Sequence, residues 1–153
     1  MSLPVSPESA RADMALFAAR NQARILRAYD AWIGGRGGSF CWPGLLAPQA
    51  WFLYRKMYLW AALVSAGPLL LAYVPKLAFL NGGTSLIGAF GLRLYLNEAA
   101  ATIARIRAGA ADEEAARRQI ARAGGVSRVG AVIGLLFAFS AFVLSLKLGL
   151  RGR

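Results

Sequence analysis

Four groups of residues in this chain have types and spacings that could do chemistry. Arg55 and Lys56 stand between Tyr54 and Tyr58, with Trp51 just before and Trp42 further upstream. Two cations framed by aromatic rings suit a lipid phosphate or an acidic partner side chain. The same residues also read as an aromatic belt with a positive anchor at a helix end. Asp112, Glu113 and Glu114 form a carboxylate cluster. Glu113–Arg117 and Glu114–Arg118 are spaced as i,i+4 pairs, and Asp112 is placed to cap their helix, so the cluster reads as paired surface charge rather than a catalytic dyad. Gly82-Gly83-Thr84-Ser85 offers backbone donors at a helix start, but it lacks the spacing and the lysine of a P-loop and reads as a turn. Gly130, Gly134 and Ala138 recur every fourth residue, and Gly88 and Gly91 lie in a second small-residue stretch. Small residues at these spacings let helix backbones approach closely in lipid.

Other chemistry is excluded by what is missing. The chain has no histidine, so the commonest general base, metal ligand and haem ligand are absent. Cys41 is the single cysteine and cannot form an internal disulfide. The three methionines are not paired at a ligand spacing. No metal and no other cofactor is expected, and the chain does not read as an enzyme. Arg93 is the one ionisable group expected at depth in an apolar segment, and it lies near that segment's end; an ion pathway usually holds such a group near mid-membrane.

The elements that must position these residues follow from composition. Of 153 residues, 58% are hydrophobic and only 16% charged, yet the net charge is +11, with 18 basic residues against seven acidic. Such charge often signals nucleic-acid binding. Here the basic residues flank apolar runs about the length of membrane spans, so no nucleic-acid partner is expected; membrane lipids and other integral membrane proteins are. Residues 1–38 read as an N-terminal amphipathic helical region, with a continuous helix from Pro7 to Ile33. It lies either at the lipid boundary or packed on the protein's own helices. Residues 39–153 read as a membrane domain. Its parts are an uncharged interfacial or re-entrant segment at 40–54, spans at about 57–75, 77–96 and 129–146, and a cytoplasmic helical loop at 97–128. The expected fold is all-α, an integral membrane protein with three transmembrane helices plus amphipathic and cytoplasmic helices.

Counting Lys and Arg orients it. Seven basic residues precede the first span, Lys76 alone lies between the first two, seven more run from Arg93 to Arg128, and three follow the third. Three spans place both clusters of seven inside and Lys76 outside, with the N-terminus cytoplasmic. Two spans would translocate every basic residue from Lys76 to Arg128, against the same rule.

The stretch Ser39 to Ala61 (SFCWPGLLAPQAWFLYRKMYLWA) resembles the hallmark of a bacterial family of small inner-membrane proteins of unknown function. That family carries F-x-W…P-x-W-x-x-Y-R-K-M-Y before its first transmembrane helix, matched here by Phe40, Trp42, Pro48, Trp51, Tyr54, Arg55, Lys56, Met57 and Tyr58. The resemblance implies a bacterial inner (cytoplasmic) membrane and a multi-pass helical fold, and it implies no activity. The expected function is a non-catalytic accessory or assembly subunit of an inner-membrane complex. The alternative is a lipid-interacting or membrane-shaping protein using the basic N-terminal helix and the aromatic collar.

Overall fold

The computed structural model describes residues 6–36, 40–72 and 81–151, with the backbone alone at 68–72, 81–82, 141 and 144–151. Residues 73–80, which include Lys76, the end of the first expected span and the start of the second, lie outside the described residues. Among the described residues the chain is helical with no strand: α1 (Pro7–Ala18), α2 (Gln22–Ile33), α3 (Trp42–Leu46), α4 (Pro48–Tyr54), α5 (Tyr58–Ala72), α6 (Asn81–Ala89), α7 (Gly91–Gly109), α8 (Glu113–Ala123) and α9 (Arg128–Arg151). These fall into two compact units. The first takes Met1–Phe40 with Leu92–Val126, and the second takes Cys41–Gly91 with Ser127–Arg153.

In the first unit α1 starts where the Ser6 side chain accepts the Ser9 amide, with Pro7 in the first turn and Glu8 complementing the helix dipole. The continuous helix expected over Pro7–Ile33 is broken at Ala19–Asn21, where Ala19 and Asn21 take positive φ. The reason is tertiary. The Phe17 carbonyl, which would serve the next helical turn, accepts instead from the Gly125 amide at 2.8 Å. Gly124 makes that approach possible, because a Cβ there would fall well inside contact of the Phe17 backbone. The chain then folds back on itself. Arg11 pairs with Asp30 at 3.1 Å, a distance out of reach along one helix, where nineteen residues would span about 28 Å.

The break also resets the buried face. Asp13, Met14, Phe17 and Ala18 of α1 and Ile25, Ala28 and Tyr29 of α2 are buried. Phe17 lies off the face that a single uninterrupted helix would present, yet it sits in the core with its ring 6.0 Å from Tyr95. On α7 the buried residues Leu92, Tyr95, Leu96, Ala99 and Ile103 recur at helical spacing, and α8 adds Ala116 and Ile120.

The second unit is built around α4. Pro43 and Pro48 open α3 and α4, and Ala47 separates these two short helices. Beyond Tyr54 the chain reverses through Lys56, at φ 61°. Met57 N–H donates to Phe52 O at 2.9 Å and Lys56 N–H to Leu53 O at 3.2 Å, the paired bonds of a Schellman C-cap. The reversal lays α5 antiparallel to α4. Trp60 stacks on Phe52 with ring centroids 6.3 Å apart, and Gln49 Nε2 donates to Val64 O at 3.4 Å. α9 is antiparallel to α4 as well, with Gly130 against Leu53 and Gly134 against Ala50. α5 and α9 are therefore parallel to each other. Thr84 meets Gly67 and Gly91 meets Trp51, so α6 runs back toward the end where α5 begins.

Among the described residues one helical stretch, Glu113–Ser140, contains a window long and apolar enough to cross a membrane by length and composition, and only 17% of that window is buried. Its apolar part is α9; α8 carries the charge, and Gly124–Ser127 separates the two. Most of this window is therefore exposed rather than packed inside the protein. The 77–96 segment is not one helix over its described part: it is interrupted at Phe90, where the Ala89 carbonyl accepts the Cys41 amide at 3.0 Å. No break falls at 96/97, because α7 continues to Gly109 with Leu92 onward packed in the first unit.

Candidate functional site

Among the described residues each unit holds a concentration of charge. In the first, Arg107 of α7 reaches two helices at once. Its Nε and Nη2 donate to the two carboxylate oxygens of Asp13 on α1, and its Nη1 and Nη2 donate to those of Glu113 on α8, at 2.7 and 3.1 Å. Asp13 is 1% exposed and the Arg107 side chain 16%. A guanidinium is the cation whose planar fork can bind two carboxylates in this way. The Asp13 and Glu113 hydrogen bonds raise the Arg107 pKa, so it stays charged. The same Arg107 hydrogen bonds, with smaller contributions from Arg117 and against some desolvation, hold the Glu113 carboxyl below its ordinary value. A cleft of about 370 Å³ opens beside this cluster, lined by Ser9, Ala12, Asp13, Ala15, Leu16, Gln22, Arg107 and Arg117.

The helix carrying Asp112–Glu114 forms as its spacing implies. Asp112 accepts the Ala115 amide as the N-cap, and Glu113–Arg117 and Glu114–Arg118 close as i,i+4 pairs. Asp13 and Arg107 escape the sequence reading. The available signal is Asp13 itself, a carboxylate set among Met14, Phe17 and Ala18, but α1 shows this face only once the helix is known to end at Ala18.

In the second unit the residues expected at the lipid or partner boundary separate. Trp42 and Tyr58 are exposed. Tyr54 is half-buried, and the Arg55 guanidinium lies 5.6 Å from the centre of its ring. Arg55 is 8% exposed, and Lys56 is half-buried in its left-handed conformation. Trp51 faces inward: it is buried, its ring edge-on to Phe52 at 5.2 Å and closed against Gly91, and so it takes no part in an outward collar.

The small residues meet α3 and α4 rather than the two earlier apolar segments. Gly88 lies backbone to backbone with Gly44, Gly91 admits the Trp51 ring, Gly130 receives the Leu53 carbonyl, and Gly134 rides over Ala50. Ala138 is half-buried. The Tyr54 carbonyl accepts the Ser127 amide at 2.8 Å, and Ser127 Oγ caps α9 by accepting Gly130 N–H at 2.9 Å.

The outside of this unit is apolar. Of eighteen large hydrophobic residues exposed among the described residues, fifteen belong to it, including Leu59 and Leu63 of α5, Leu86 and Phe90 around α6, and Val132, Leu136 and Phe139 of α9. All seven carboxylates of the chain belong to the first unit, so the second contains no Asp or Glu. Compared with protein families, with curated proteins and with solved structures, the chain matches none.

Proposed function

We propose that the second unit lies in a bacterial inner membrane and that the chain is a non-catalytic accessory or assembly subunit of a larger complex there. The observation that carries this is the outward apolar surface of the unit around a glycine-tight interior free of carboxylates. A soluble unit arranged this way would set most of its large side chains against water. In lipid those side chains are solvated, and close backbone approach through glycine holds the helices.

Three crossings are the topology we propose. α5 and α9 run parallel and α6 returns between them in sequence, as spans one, three and two would. Gly134 is six residues into α9, about 9 Å from its start, so α3 and α4 form a re-entrant pair reaching roughly that depth. The positive-inside rule then sets the N-terminus and residues 97–128 in the cytoplasm. Crosslinking in native membranes and purification in mild detergent should recover constant integral-membrane partners; repeated recovery of the chain alone would defeat the subunit proposal.

For the second reading, a lipid-interacting protein, the N-terminal helices offer little. Met14, Phe17, Ile25 and Tyr29 are buried, so no wide apolar face remains to enter a bilayer. What favours this reading is the cationic corner around Tyr54–Tyr58.

A further inference from the structure

We infer that the first unit binds a small aliphatic carboxylate, in the cleft of about 370 Å³ that α1 shares with Arg107 of α7 and Arg117 of α8. The site lies wholly within that unit and stands apart from the membrane placement of the second. Glu113 organises its charge. Glu113 Oε1 accepts from Arg107 Nη2 at 3.1 Å and from Arg117 Nε at 3.2 Å, so one oxygen holds two guanidinium groups together. Arg107 is committed, since four of its five N–H groups donate to Asp13 and Glu113. Arg117 is not. Its Nη1 and Nη2 donate to no group among the described residues.

The cleft therefore keeps donors and has spent its acceptors. Asp13, 1% exposed, gives both oxygens to Arg107, and both oxygens of Glu113 accept from the two arginines. A cationic ligand would find no carboxylate oxygen without a partner, whereas an anion meets the open Nη1–Nη2 end of Arg117. That planar fork matches a carboxylate bidentately. Asp13, Glu113, Arg107 and Arg117 sum to zero charge, so one open fork stands here without a second uncommitted cation. A single negative charge suits it better than a doubly charged phosphate. The rest of the cleft calls for an apolar body. Ala12, Ala15 and Leu16 line it from α1, and Leu16 is 38% exposed although Met14 and Phe17 beside it are buried. From Ser9 to Leu16 this wall runs about 10 Å along the helix. The volume falls in the range of small-molecule clefts.

The test is equilibrium dialysis of radiolabelled hexanoate against the full chain in an uncharged maltoside detergent, with protein-free micelles as background. Saturable binding at one site per chain is expected, with Kd of about 1 mM or tighter. Arg117→Gln should weaken it at least about tenfold, because a charge-assisted bidentate pair is lost. Arg117→Lys keeps the charge without the fork and should weaken it too, which preserves the test if the Gln variant loses helicity. Arg118→Gln removes the same charge one residue away, from an arginine paired with Glu114 outside the cleft, and should leave binding unchanged. Leu16→Ala should weaken hexanoate by about threefold and leave competition by acetate as it was. No saturable binding, or undiminished binding in a folded Arg117 variant, overturns the site. An equal loss in the Arg118 variant reduces the effect to net charge and overturns it as well. Hexanol or hexylamine competing as strongly as hexanoate overturns the carboxylate contact. Stronger competition by hexyl phosphate overturns the ligand class in favour of a phosphate ester, and acetate competing as strongly as hexanoate overturns the apolar wall.

Discussion

Arg107 is a cation spread across two carboxylates, and its effect on Glu113 makes the first unit sensitive to acid. Glu113 has its pKa lowered from 4.5 by the Arg107 hydrogen bonds. A carboxylate depressed in the folded state contributes stability that is present above its unfolded value and is lost as pH falls through the folded one. The thermal midpoint of the helical signal should therefore drop as pH falls below about 4.5, the ordinary glutamate value. Glu113→Gln should flatten part of that drop while lowering the midpoint at neutral pH. An unchanged pH profile in the variant would show that the clamp does not couple to folding. A second residue-scale expectation concerns Lys56. Lys56→Gly should be more stable than Lys56→Ala by about 1 kcal/mol, since both lose the charge and glycine alone is unstrained at positive φ. Unfolding midpoints of the two variants in one detergent decide this.

At the scale of elements, three carbonyls near helix ends accept from distant amides: Phe17 O from Gly125, Ala89 O from Cys41, and Tyr54 O from Ser127. Two of these stop a helix that sequence periodicity alone would continue. Glycines admit the approaching backbone, and Gly134 shows the consequence for α9. A leucine side chain there would collide with the Ala50 backbone of α4. Gly134→Leu should lower stability in detergent by about 1–3 kcal/mol or more, because backbone cannot move aside as a side chain can. Leu136→Ala, on the exposed face of the same helix, should change little. Equal effects of the two substitutions would mean that α9 does not dock on α4 through its glycine face.

For the whole molecule, the decisive measurement for the proposed topology is whether the first unit is reached from the cytoplasmic or the periplasmic side. With Cys41 replaced by Ser and a cysteine placed at Ala110, between α7 and α8, a membrane-impermeant thiol reagent should label only from the cytoplasmic face. Labelling only from the periplasmic face would overturn the three-span topology. The charge pattern that motivates this expectation has a structural counterpart. All seven acidic residues and eleven of the 18 basic ones belong to the first unit, so the two units differ in composition in the sense the proposed topology requires.

Sequence by itself determined the helical class, the apolar character of α9, the cap and ion pairs of α8, and the cationic aromatic stretch at Tyr54–Tyr58. Each of these depends on residues within a turn or two of one another, so periodicity and local spacing are enough to read them. The tertiary structure alone decided that Pro7–Ile33 is a hairpin, that Asp13 meets Arg107, that Trp51 faces inward, and that residues 92–126 join 1–40 rather than the apolar segment they follow. These outcomes turn on which distant amide reaches a given carbonyl and on where a missing Cβ lets two backbones touch. Helical periodicity assumes an uninterrupted ladder of hydrogen bonds and carries no record of such a competitor. A glycine likewise reads the same in sequence whether it ends a helix, lines a turn or receives another backbone.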